Sequence, residues 1–394
     1  LIMIGDHQQL QPKPNVYELE RDYRLGISMF ERLIRSGIPY TQLKIQHRMR
    51  PEIRELLVPN IYTELEDHDS VKRFPVVQGL QHNLFFIDHE FPEDNEKDSP
   101  SHYNKHEANF LVELTKYILK QGYKKSQITI LAAYNGQARL IRESIEEEKL
   151  GKKAFIDSLP TNRRGRKPRV NFATANCVKV TAIDNFQGEE NDIILLSLVR
   201  SNDKKKIGFL REATRVCVAL SRARLGLYVI GNMTLFASQS KVWNTIIGKV
   251  HKTQKLGKSL PLKCDNHEKP VFTYITKLAD FTKVKEGGCD QPCRTQLPCG
   301  HVCPRSCHKD DPDHRNSVCR KPCTKKLCDM NHLCEKRCFE SCGRCTKPVK
   351  KQIPKCGHMQ DVPCYMEPSS YECKEKCAKN LDCGHRCKQY CGRK

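Results

Sequence analysis

Long apolar runs are missing from this 394-residue chain. No stretch approaches the ~20 apolar residues that a membrane-spanning helix needs, and no leader pattern of a charged start and an apolar core opens it. Both absences argue against a helical membrane-spanning reading. Acidic residues fall short as well: 46 Asp and Glu stand against 68 Lys and Arg, a formal net charge of +22. Such an excess points to a polyanionic partner. The chain opens on an apolar run, LIMIGD, without an initiator Met, so it reads as a fragment with its start upstream. The glycine-rich phosphate loop GxxxxGK[ST] occurs nowhere in it, and neither does a recognisable acidic pair for Mg²⁺.

The length allows two or three domains. Residues 1–263 carry 42 basic against 30 acidic residues, and 264–394 carry 26 against 16. The second part also holds 20 of the 22 Cys. Thiolates bound to roughly five zinc ions would bring its charge near zero. The dependable basic excess therefore lies in the first part.

That first part alternates strand and helix patterns. Strands are expected at LIMIGD, 83–89, 128–134, 178–183 and 193–199, and in GLYVIGN, with helices over 24–37, 105–122, 135–148 and near 212–224. Apolar runs alternating with amphipathic stretches predict an α/β fold with a doubly wound parallel sheet. The chain is organised around 178–199, read as a buried strand, a polar turn and a second buried strand. A basic cluster, Arg163, Arg164, Arg166 and Lys167, falls in a loop.

Five stretches carry the chemistry: GDHQQLQP (5–12), LKIQHRMRP (43–51), LAAYNGQ (131–137), TAIDNFQGEEND (181–192) and VALSRAR (218–224). In this order they resemble the later motifs of superfamily 1 RNA helicases of the nonsense-mediated-decay type. The Cys-rich tail brings the resemblance nearest to helicases with nuclear-transcription-factor X-box-binding type zinc fingers. The resemblance implies recombinase-like domains with ATP and Mg²⁺ in the cleft between them. Residues 1–40 would end the first with its last strand and helix, and 41–252 would form the second. A linker with a possible partial zinc site would span 253–288, and a zinc array 289–394. The Mg²⁺ ligands would lie upstream, and the fragment alone should not hydrolyse ATP.

Phosphoryl transfer spreads negative charge over the γ-phosphoryl oxygens, so the closing cleft must bring cations. By resemblance Arg48 and Arg222 are the two arginine fingers, and Gln9 senses the γ-phosphate. Gly5, Asp6, His47, Gly188 and Glu190 would line the nucleotide, Gly188 by close backbone approach and Glu190 near the ribose. His47 stands where the family has Tyr, Ala133 where Pro is common, and Cys217 where Asn is common. RNA, single-stranded or duplex, would run over Tyr134, Asn135, Gln137, Thr181 and Gln187, on one edge of the sheet, with salt-sensitive phosphate contacts.

The tail lacks aliphatic residues for one large core, and its 19 Cys between 289 and 391 are odd in number and interleaved with His. That argues for zinc rather than disulfides. Cys299-x-His301-x-Cys303-x3-Cys307 recurs as Cys383-x-His385-x-Cys387-x3-Cys391. A looser copy is Cys328-x3-His332-x-Cys334-x3-Cys338, followed by Cys342 and Cys345. Cys356-x-His358 with Cys364, Cys373 and Cys377 is a partial one. The CGH turn supplies two ligands around a tight Gly. Cys289, Cys293, His308, His314, Cys319 and Cys323 complete neighbouring sites, while Cys264 and His267 form a separate partial site or none. Cys/His ligand sets leave no open position for a catalytic water, so the sites read as structural.

The leading reading is an ATP-driven RNA helicase or RNP remodeller whose zinc array recruits protein partners. The resemblance implies a cytoplasmic or RNA-granule role in RNA surveillance, small-RNA silencing or antiviral RNA sensing. The alternative is a non-catalytic RNA clamp and recruitment scaffold. A ubiquitin ligase or DNA-binding repressor rests on cysteine analogy alone, since no clear cross-brace spacing is evident.

Overall fold

The computed structural model describes residues 2–12, 14, 16–95, 101–148 and 177–391. The chain divides into two compact units, Leu1–Asp290 and Gln291–Lys394. The basic cluster at Arg163–Lys167 lies outside the described residues.

Six parallel strands build the first unit: β1 (Leu84–Asp88), β2 (Ile128–Ala132), β3 (Lys179–Ala182), β4 (Asn191–Ser197), β5 (Ala223–Gly231) and β6 (Leu256–Gly257). Their spatial order is β6–β1–β5–β4–β2–β3. Successive side chains on a strand point to opposite faces, and here both faces are covered. Leu84 and Phe86, Ile194 and Leu196, and Leu227 and Val229 enter one core beneath α3 (Ala213–Leu220), α4 (Met233–Gln239) and α5 (Lys241–Lys252). Phe85 and Ile87, Ile193 and Leu195, and Tyr228 and Ile230 enter the other, beneath α1 (Lys105–Lys120) and α2 (Asn135–Glu147). This is the doubly wound arrangement that the alternating pattern predicts. Asn104 caps α1 by accepting from the Glu107 N–H at 3.1 Å, and Tyr134 is the N-cap of α2.

Three differences from expectation bear on function. Ile2 and Ile4 are exposed, and LIMIGD pairs with no strand among the described residues. An apolar run becomes a strand only where a partner accepts its backbone hydrogen bonds. Next, β3 and β4 are not neighbours. They lie on either side of β2 and run parallel, so residues 183–190 must return from the C-terminal edge of the sheet to its N-terminal edge. The stretch expected as a linker, 253–288, is packed instead. It supplies β6 and a hairpin of β7 (Leu260–Cys264) and β8 (Val271–Ile275) that sinks Leu260, Leu262 and Ile275 into the second core, and the turn of helix at Leu278–Val284 adds Phe281 and Val284.

Candidate active site, strand edge and metal clusters

Cations converge on the N-terminal edge of the sheet. Arg222 lies one residue before β5, and its carbonyl accepts from the Asn191 N–H at 3.1 Å, locking it to the start of β4. The side chain is 1% exposed. Nε donates to Val218 O (3.0 Å), Nη1 to Glu189 O (3.3 Å), and Nη2 to Ser221 Oγ (2.5 Å) and Gln9 Oε1 (3.3 Å). Arg48 donates through Nη1 to Ser221 O at 3.3 Å and ion-pairs with Glu190 through Nε. Its loop is shaped by Gln46, whose Oε1 accepts the N–H groups of Arg48 (2.9 Å) and Met49 (2.7 Å). Burial, aided by the nearby Arg48 charge, lowers Arg222 to about 10, which leaves it a cation at neutral pH. Two guanidinium groups held against their mutual repulsion make a place for a polyanion.

Gln9 donates to Asp6 Oδ2 at 2.8 Å, and the same oxygen accepts from the Tyr62 hydroxyl at 2.6 Å. The Tyr62 oxygen lies 3.2 Å from Cys217 Sγ. Burial raises the Cys217 thiol to about 11, so it keeps its proton. The structure thus brings Gln9, Asp6, Arg48, Glu190 and Arg222 together. Gly188 sits in the adjoining exposed turn at φ 81°, where a side chain would be strained. Gly5 lies near the Phe30 ring, and exposed His47 packs on His68 with ring centroids 4.0 Å apart; neither hydrogen-bonds to the arginines. Sequence reasoning missed Tyr62 and Ser221, although Ser221 adjoins Arg222 in the SRAR stretch.

Four of the five residues expected to meet RNA lie toward the opposite edge, and of these only Asn135 is exposed. Gln137 is fully buried. It accepts from the Asn104 N–H (2.8 Å) and donates to Asn104 O (3.1 Å) and Ser197 Oγ (3.0 Å), so its amide is used up in the interior. Tyr134 is buried too: its hydroxyl accepts from Arg200 Nη1 at 2.9 Å, and Arg200 is paired with Glu93 at 2.9 Å. Thr181 is buried on β3, and Asn135 is exposed at the start of α2. Gln187 is exposed but belongs to the segment returning toward the arginines, so it does not share the edge of Tyr134. Beneath that edge lies fully buried Glu107, with His89 Nε2 at 3.0 Å and the Val199 N–H donating to it at 2.9 Å. Val199 stands at φ 70°, a strained conformation for a β-branched residue.

In the second unit, Cys and His gather in sets whose donor atoms all lie within 4.8 Å of one another. One set is Cys293, Cys303, His308 and His314; a second is Cys299, His301, Cys319 and Cys338. A third is Cys328, His332, Cys345 and Cys364; a fourth is Cys356, His358, Cys373 and Cys391. In the second set His301 Nδ1 faces Cys338 Sγ at 3.3 Å and Cys319 Sγ at 3.7 Å. The backbone N–H of His301 lowers the Cys299 thiol to about 7, favouring the thiolate that a metal needs. Soft thiolates and imidazole in fours fit tetrahedral zinc. Cys323, Cys334 and Cys342 adjoin one another, as do Cys377, Cys387 and Cys391. Exposed Cys383 and His385 flank Gly384 at φ 82°.

The repeats seen in sequence are not units of coordination. The CGH turns do give two ligands to one set, around Gly300 (φ 80°) and Gly357 (φ 72°), and Asn331 (φ 59°) takes the same role before His332. The cysteines that follow serve other sets. Cys338 lies beyond Cys328 and His332, and Cys364 beyond Cys356 and His358, so consecutive sets interlock along the chain.

A doubly wound sheet with paired arginines at one edge, followed by Cys/His clusters, defines a helicase-like motor domain with a zinc-finger-type region. Residues 25–234, more than half the chain, match the family described as AAA domain, and the chain belongs to it. It is 47% identical over 392 residues, its whole length, to the NFX1-type zinc finger-containing protein 1 of Mus musculus, and covers 19% of that protein. It is 39% identical over 268 residues (66% of the chain, 24% of the relative) to the Helicase required for RNAi-mediated heterochromatin assembly 1 of Schizosaccharomyces pombe. Over 254 residues (63% of the chain, 17% of the relative) it is 34% identical to the Regulator of nonsense transcripts 1 of Dictyostelium discoideum. The chain spans about a fifth of the length of these curated relatives.

Proposed function

We propose that the first unit is the arginine-supplying part of an ATP-driven RNA helicase or RNP remodeller, and that zinc holds the second unit folded as a recruitment array. The observation that carries this reading is the meeting of Arg48, Arg222 and Gln9, from three separate segments, at one edge of the sheet. Bound ATP with Mg²⁺ supplies the phosphoanhydride to be cleaved. Arg222 and Arg48 stabilise charge on the transferred phosphoryl group. Gln9, already bonded to Arg222, links that contact to residues 5–12. Glu190 orients Arg48 until a phosphate competes for its fork. RNA runs over the opposite edge, where Asn135 is exposed, so hydrolysis and strand contact occupy two ends of the same strands. The names of the relatives, one for RNAi-mediated heterochromatin assembly and one for nonsense transcripts, favour a role in RNA silencing or surveillance.

RNA-stimulated ATPase measured on a motor that includes a phosphate-binding loop tests the reading. Arg48→Ala should remove turnover while RNA binding persists. Turnover within a few-fold of the unsubstituted protein would overturn it.

A further inference from the structure

We infer that Tyr62 is a positioning residue for phosphoryl transfer: its hydroxyl holds Asp6, and Asp6 holds the amide of Gln9 in the orientation that meets Arg222. The inference rests on the helicase reading and adds to it a residue outside all five motif stretches.

The geometry is a chain of four side chains. The Tyr62 hydroxyl donates to Asp6 Oδ2 at 2.6 Å, Gln9 Nε2 donates to the same oxygen at 2.8 Å, and Gln9 Oε1 accepts from Arg222 Nη2 at 3.3 Å. Each link has one polarity. A carboxylate accepts and cannot donate, whereas a guanidinium donates and cannot accept. Gln9 lies between the two, so its amide must turn the nitrogen to Asp6 and the oxygen to Arg222. Asp6 enforces this only while its own carboxylate is fixed. Its Oδ1 takes the Gln8 N–H at 2.9 Å, within a turn closed by the Gln9 N–H donating to Asp6 O at 3.2 Å. Those bonds stay inside residues 6–9, and Tyr62 supplies a bond from outside that turn.

Tyr62 is itself held in place. Its N–H donates to Leu57 O at 3.1 Å, and Leu57 is fully buried. The Tyr62 ring packs on the core of Leu84, Ile194 and Leu227, as does Leu10, the residue after Gln9. Apolar contact with one core therefore brings the two segments together, and the hydroxyl decides how their polar groups meet. Burial pushes that hydroxyl far above its ordinary value of 10, so it remains a donor. Arg222 keeps its bonds to Val218 O, Glu189 O and Ser221 Oγ without Tyr62, so loss of the hydroxyl acts on Gln9 rather than on the arginine.

The test is RNA-stimulated ATPase beside a thermal melt, on a motor that includes a phosphate-binding loop. Tyr62→Phe keeps the ring and removes the hydroxyl. Its kcat should fall by about 10-fold with KM for ATP within about 2-fold, as for a group that acts through a transition-state contact. Gln9→Ala should lose at least as much. Adding Tyr62→Phe to Gln9→Ala should cost nothing more, because the hydroxyl acts only through that amide. A merely structural Tyr62 would lower kcat by the same factor whether or not Gln9 is present. Losses that multiply in the double variant, or a Tyr62→Phe kcat within about 2-fold of the unsubstituted motor, would overturn the inference. The helicase reading would survive either result so long as Arg222→Lys and Gln9→Ala are impaired; full turnover in those two would take down both. Should Tyr62→Phe melt below the assay temperature, Asp6→Asn, of nearly the same volume, replaces it in the cycle, and losses that multiply with Gln9→Ala again overturn the inference.

Discussion

Arg222→Lys separates the chemistry of the arginine site from its architecture. Lysine keeps the positive charge but not the planar fork that meets Val218 O, Glu189 O, Ser221 Oγ and Gln9 Oε1. Leaving buried acceptors without their donors costs about 1–3 kcal/mol. In a unit of this size that corresponds to a fall in Tm of roughly 2–4 °C per kcal/mol. The catalytic loss is of another order, because an arginine finger contributes ~10³–10⁵ in rate, about 4–7 kcal/mol. The signature is a kcat lower by ~10³ or more with KM for ATP almost unchanged, the pattern of a contact made only in the transition state. Steady-state ATPase with saturating RNA, run beside a thermal melt, gives both numbers. A kcat within ~10-fold of the unsubstituted motor, or a loss that follows only the unfolded fraction, would show that Arg222 is a structural arginine.

Glu190→Gln removes the carboxylate that pairs with Arg48 and should weaken ATP binding or turnover while leaving stability within about 1 kcal/mol, since the pair is partly exposed. Gln137→Ala should lower stability by about 1–3 kcal/mol with RNA affinity unchanged in a filter-binding titration, because its partners are interior. Burial lowers His106 to about 4, with His89 adding to the effect, below the ordinary 6.5. A His whose folded value is depressed stabilises the fold fully above the unfolded value and loses that contribution as pH falls from 6.5 to 4. Discounted for its partial exposure, the loss is about 1–2 kcal/mol, and His106→Phe should flatten that part of the stability profile. Asn331→Val puts a β-branched residue at φ 59°, should cost about 1–2 kcal/mol, and should speed zinc release from the Cys328 set to a chelator.

The fold was legible because apolar periodicity is local. Leu84–Asp88, Ile128–Ala132 and Asn191–Ser197 announce buried parallel strands by composition alone, and the arginines were legible through their surrounding motifs. Topology was not. Nothing in 183–190 shows that the chain doubles back past β2, which is why Gln187 seemed to share an edge with Tyr134. Burial of polar side chains was also hidden, since Gln137 looks like any surface amide until Asn104 and Ser197 close around it. The hairpin at 260–275 was obscured by its lysines, though Leu260, Leu262 and Cys264 keep the strand alternation.

The tail shows why a repeat in sequence need not be a unit in space. A CGH turn can present only two donors, because a tight loop through Gly300 or Gly357 brings one thiol and one imidazole to the same point. Tetrahedral coordination needs two more, and these come from further along the chain. Cys319 and Cys338 close the set that Cys299 and His301 begin, and between those two cysteines the chain has already begun the next set with Cys328 and His332. Each ion therefore closes a loop that contains the opening ligands of its neighbour. Loss of Cys338 should then loosen the Cys328 set as well as its own. Stepwise zinc release from Cys338→Ser should show two ions weakened rather than one, and a single weakened ion would mean that the sets fold independently despite their interlocked order.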